Sequence, residues 1–148
     1  MAGNPSSSHG TSGGSEIGYT QIVANVNVTD TAEGTATALI TSSALTFSGA
    51  AAIAEFFTPS ALGPTGGFMV FSLWEGATQI GRLVEMGGIS GGQAQMAICA
   101  RYRFTPTAGT HTYKVAGWVA STTGTPLIKA GSGGTGADVP AYLRFVYV

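Results

Sequence analysis

The 148 residues contain few side chains able to do chemistry, and those few are scattered. One cysteine, Cys99, excludes an internal disulfide and any multi-cysteine zinc site. Cys99 falls mid-strand near Arg101, whose charge could favour a thiolate, but no helix N-terminus or partner histidine accompanies it, so it reads as structural. Two histidines, His9 and His111, leave little for a metal. His111 lies in Gly-Thr-His-Thr-Tyr, and no Ser-Gly elbow or paired cysteine completes a nucleophilic set around it. The expectation is a strand-start histidine bonded to a neighbouring loop. Asp30, Glu33, Glu55, Glu75, Glu85 and Asp138 lack the close spacing of a calcium loop and read as solvated turn residues; no motif marks a glycosidase pair. The glycine-rich stretch 131–136 lacks the Gly-Lys-Ser/Thr ending and following helix of a phosphate loop. Arg82, Arg101, Arg103 and Arg144 fall on strands, as outer-face or inter-subunit ion-pair residues. This inventory predicts no enzyme, no catalytic residue, no cofactor and no metal site.

Composition narrows the classes further. The chain carries 6 Lys/Arg and 7 Asp/Glu, 9% of its residues, where a soluble domain usually carries about 25%. So thin a coat of charge implies that other protein chains cover much of the surface. A net charge of −1 leaves no basic footprint for nucleic acid. No apolar run approaches the ~20 residues that span a bilayer, so no membrane partner is expected. The first residues, Met-Ala-Gly-Asn-Pro-Ser-Ser-Ser, lack the basic and apolar regions of a secretory signal.

The elements that position these residues read as strands. Residues 1–16, rich in Ser, Gly, Asn, Pro and Thr, form an extended N-terminal arm with nothing to bury. From 17 to 148 the chain reads as one domain. Ile22, Ala24, Val26 and Val28 alternate with polar residues as one half-buried strand, and Asp30–Gly34 turns. Thr37–Phe47 holds one or two strands. Ala50–Phe57 fits a short helix or a strand, and Pro59–Gly67 reads as a loop. Phe68–Trp74, the turn Glu75-Gly76-Ala77 and Gln79–Met86 form a hairpin. Residues 95–104, 111–120, 127–130 and 139–148 supply the remaining strands. Eight to ten short strands without a convincing helix predict an all-β, antiparallel β-sandwich or barrel. Two strands are apolar on both faces: 68–74 and 142–148. An antiparallel sandwich has a wet outer face, so both strands predict a second cover, most economically a subunit.

Four stretches, Phe47–Pro59 (FSGAAAIAEFFTP), Leu73–Arg82 (LWEGATQIGR), Arg101–Tyr113 (RYRFTPTAGTHTY) and Gly131–Arg144 (GSGGTGADVPAYLR), resemble the small β-domains of tailed-bacteriophage virions. Those domains are similar to the jelly roll of the tumour-necrosis-factor/C1q type, on tail fibres and as free-standing capsid decoration proteins. The resemblance covers roughly residues 40–148, and the shaft or collagen-like repeat of a fibre is missing ahead of the domain. It implies a TNF/C1q-like jelly roll, a homotrimer about a threefold axis and no catalytic residue. The expected function is a non-enzymatic capsid decoration (cement) protein on the outer capsid surface of the virion, bound to the major capsid protein. The alternative is a tail-fibre or minor tail domain that binds a host receptor, although the loops hold few aromatics to stack on a sugar. Phe68, Phe71, Trp74, Tyr142, Phe145 and Tyr147 are expected in the core or the trimer interface. Asn4, Pro5, Ser8, His9, Thr11 and Ser15 are expected to mark the capsid-docking arm.

Overall fold

The structure, a computed structural model, describes residues 14–148. Its strands are β1 (Glu16–Ile22), β2 (Val26–Asn27), β3 (Thr37–Thr41), β4 (Leu45–Phe47), β5 (Ala52–Leu62), β6 (Phe68–Glu75), β7 (Thr78–Gly87), β8 (Gln95–Phe104), β9 (Gly109–His111), β10 (Tyr113–Val119), β11 (Leu127–Lys129) and β12 (Ala141–Tyr147). The only helical piece among the described residues is a 3-10 turn at Glu33–Thr35.

Two antiparallel sheets face one another. One runs β1-β12-β5-β11-β2, with β8 on the other edge of β5; the second runs β3-β10-β6-β7. Taken through their long strands the orders are β1-β12-β5-β8 and β3-β10-β6-β7, the doubled Greek key of a jelly-roll sandwich. The predicted all-β antiparallel sandwich is what the chain forms. A short β4–β9 ladder joins the ends of the two layers.

Period-two patterning explains which faces meet. On β5, Ala52, Ala54 and Phe56 point inward and Ile53, Glu55 and Phe57 outward, which resolves the helix-or-strand ambiguity of that stretch in favour of a strand. Phe47, Phe56, Phe71, Tyr113, Leu143 and Phe145 are fully buried at the centre. Gly81 allows β7 to approach β8: a Cβ there would lie 2.7 Å from the Tyr102 ring, whose hydroxyl donates to the Ile80 carbonyl at 3.2 Å.

Three expectations about individual elements are corrected. Residues 59–62 are not loop, because β5 runs on to Leu62. Pro59 has no N–H to give, and it sits where the partner of β5 changes from β12, ending at Phe57, to β11, starting at Ser60. The single strand expected over 21–28 is two, β1 and β2, separated at Val23–Asn25, where pairing passes from β12 to β11. The third concerns the second cover for the strand at 68–74. Met69, Phe71 and Leu73 do face the core and Val70, Ser72 and Trp74 the outside, yet Val70 and Ser72 are fully buried and Trp74 is 9% exposed. The chain supplies that cover itself: the segment between β2 and β3 returns over the sheet, with Val119 N–H donating to the Asp30 carbonyl at 3.0 Å and Glu33 lying above Ser72 and Gln79.

Candidate functional site

Of the six residues expected in the core or an interface, Phe71 and Phe145 are in the core. Trp74 is buried on the outer face of β6, and Phe68 is half-buried edge-on against Trp118 at 5.2 Å. Tyr147 is half-buried at the sandwich end, its hydroxyl oxygen accepting from Ser48 N–H at 2.9 Å. Tyr142 is half-buried on the outer face of the six-stranded sheet. Ser15 belongs to the ladder, its carbonyl accepting from Tyr147 N–H at 3.0 Å. Asn4, Pro5, Ser8, His9 and Thr11 lie outside the described residues.

The outer face of the six-stranded sheet is built by register. Tyr142 opposes Gln21 and Phe57, and Phe57 opposes Cys99. The Tyr142 ring stacks on Phe57 at 5.3 Å and lies 5.4 Å from Tyr19, which is 46% exposed. One rung along, Arg144 opposes Glu55 and Glu55 opposes Arg101. Both guanidinium groups reach the same carboxylate, Arg144 Nε at 2.7 Å and Arg101 Nε at 2.8 Å. Half-buried Ile53 and Val146, also paired across strands, continue the face. The outer sheet face therefore carries an aromatic row, an aliphatic row and, between them, two cations sharing one anion. Arg103 and Cys99 are exposed at its β8 edge.

His111 is bonded, as expected, to a neighbouring loop, and also to a carboxylate that sequence spacing did not point to. Its Nδ1 meets Glu75 at the end of β6, and its Nε2 lies 3.0 Å from the Thr107 carbonyl. The imidazolium, donating from both nitrogens, satisfies the carboxylate and the carbonyl together, while a neutral ring donating to Glu75 can accept at Nε2 only from the Thr107 hydroxyl, 3.3 Å away. Glu75 above all, and then the Thr107 carbonyl, raise the His111 pKa above its ordinary value. Tyr113 packs 6.0 Å from the imidazole, and burial, helped by the Glu75 charge, pushes its phenol up to about 12, so it stays neutral. Because the folded chain holds the His111 proton more tightly than the unfolded chain, this contact stabilises fully below the ordinary histidine value of about 6.5 and is lost as pH rises through the higher folded value. Denaturant titrations at a series of pH values should show stability falling across that window in the wild type and not in His111→Gln; equal slopes would contradict the assignment.

On the outer face of the second sheet, Glu33 is more than a solvated turn residue. Arg82 holds it through both carboxylate oxygens, Nε to Oε1 at 2.8 Å and Nη2 to Oε2 at 2.9 Å, and Gln79 Nε2 donates to Oε1 at 2.9 Å. These bonds, the arginine's first, lower its pKa. The returning segment leaves a cleft of about 220 Å³ over Trp74, walled by Glu33, Gly34, Ala36, Gly76, Ala77 and Lys114. The Lys114 ammonium lies 5.8 Å from the centre of the Trp74 ring. Glu33 and Lys114 were missed as site residues: Arg82 stands 49 positions from Glu33, and no local pattern reveals either the pairing or the cleft.

Among the described residues no group of three or more His, Cys, Asp or Glu could hold a metal ion, and no helix is long and apolar enough to cross a membrane. Compared with known proteins, the chain matches no family model and no curated sequence.

Proposed function

We propose that the chain is a non-enzymatic structural protein of a tailed-phage virion: a homotrimeric capsid decoration protein that sits on the outer capsid surface and cements the major capsid protein. The observation that carries this reading is the outer face of the six-stranded sheet. Tyr19, Tyr142, Phe57, Ile53 and Val146 leave it with more apolar surface than a solvent-facing sheet needs, on a molecule with few charges. A threefold contact through this face brings β12 close to the axis. Ser15 and Glu16 pair with the end of β12, so residues 1–13 attach at the sandwich end where Val148 also lies. In a trimer about that face the three Gly14 positions lie at the same end of the assembly.

Sedimentation equilibrium at micromolar concentration tests the assembly. The expected mass is three times the chain's 14.9 kDa. Tyr142→Asp, a change on the half-exposed face, should give a folded monomer with unchanged circular dichroism, because it places an unpaired charge in the contact. A wild-type monomer would contradict the reading.

A further inference from the structure

We infer that the cleft over Trp74 is a binding site for the terminal ring of an acidic sugar of the uronic-acid type. Its volume of about 220 Å³ lies below the roughly 300–1,000 Å³ of ordinary ligand pockets, so it fits one ring and not an extended chain. Its floor is Trp74, whose indole N–H is buried without a hydrogen-bond partner although the residue lines the opening. A buried donor without a partner costs free energy, so a small shift of the indole that lets its N–H meet a ligand oxygen in the cleft would be favoured. The wall residues Gly34, Ala36, Gly76 and Ala77 are small and leave room at the rim.

The charges select the ligand. Glu33 is already neutralised by Arg82 and bonded by Gln79, so its remaining acceptor capacity suits sugar hydroxyls and not a cation. Lys114 makes no ion pair among the described residues, and its ammonium hangs over the indole ring. A ligand carboxylate draws that ammonium off the ring, and the uncovered indole face receives the apolar face of the sugar. A neutral sugar lacks the first interaction, and a bare carboxylate lacks the second. The inference concerns the isolated chain and holds whether or not the protein sits on a capsid.

The test is titration of the intrinsic tryptophan fluorescence with glucuronate, glucose and acetate. Glucuronate should give a saturable change, glucose one about tenfold weaker, as loss of one charge-assisted contact predicts, and acetate none. Lys114→Ala should bring glucuronate down to the level of glucose. Ala77→Phe, a change at an exposed turn position that should leave circular dichroism unaltered, should abolish both by filling the cleft. No saturable change with glucuronate, an equal response to acetate, equal affinity for glucose, or unaltered binding by either variant would each overturn the assignment.

Discussion

Phe145→Ala is expected to remove about 3–5 kcal/mol of folding stability, the range for a fully buried phenylalanine. The side chain has no exposed surface, and its ring packs 5.2 Å from Tyr113, 5.9 Å from Phe47 and 6.2 Å from Phe104. These partners come from β10, β4 and β8, so Phe145 joins both sheets and the small β4–β9 ladder in one aromatic cluster. Two of its contacts are edge-to-face, with interplanar angles of 89° and 71°, the geometry that a smaller side chain cannot replace. Because β12 is flanked by β1 and β5, the cluster cannot collapse into the hole without shifting a ladder on each side. With about 5–15 kcal/mol available to a domain in total, the variant should lose a large fraction of its stability. Urea titration should show the midpoint falling with little change in slope. A loss below about 1 kcal/mol would mean that the cluster is not the centre of the fold.

If the proposed role holds, deleting residues 2–13 is expected to leave the proposed trimer folded and to lower its occupancy on capsids sharply. The deletion stops before Gly14 because Gly14 sits against the Tyr147 backbone and Ser15 is already bonded into the β12 ladder. The removed stretch is Ser, Gly, Asn, Pro and Thr with one Ala and one His, and no Asp, Glu, Lys or Arg, so its binding would rest on backbone partners in a groove or at a sheet edge. Ordering costs about 1–2 kcal/mol per residue, which makes one arm a weak ligand. In the proposed trimer three arms would act together through effective concentration, and the deletion removes all three at once. Purified protein with and without the arm, added to particles that lack it, gives the comparison. Equal occupancy would place docking on the jelly-roll base.

Much of the fold was legible because a half-buried strand alternates. The stretches 68–74, 95–104 and 113–119 follow period two closely enough to fix their faces, and β6 presents Phe71 and Trp74 on opposite sides as that period requires. Pairing was less legible. β5 meets β12, β11 and β8, all at least 30 positions downstream, and no local pattern encodes such partners. Pro59 misled because proline usually ends a strand, whereas a change of partner strand accommodates it here. The site divides the same way. His111 was expected at a strand start; it is instead the last residue of β9, bonded to Thr107 of the preceding loop, and its pairing with Glu75, the last residue of β6, joins residues 36 positions apart that no local pattern links. The double-faced apolarity of β6 was visible; that the chain's own segment at 28–36 provides the cover was not, because that stretch is short and polar and its anchoring residue, Glu33, looks like any turn acid. Among the described residues no segment covers the outer face of β12, and the proposed subunit contact would supply that cover.

The measurement that bears most directly on the proposed role is electron cryomicroscopy of particles lacking the protein after purified full-length chain is added. The proposed role predicts threefold-symmetric density repeated over the outside of the head, wide enough for the sandwich, with a connection toward the major capsid protein on the side where β1 begins and β12 ends. Density confined to the tail, or heads left bare at saturating protein, would contradict it.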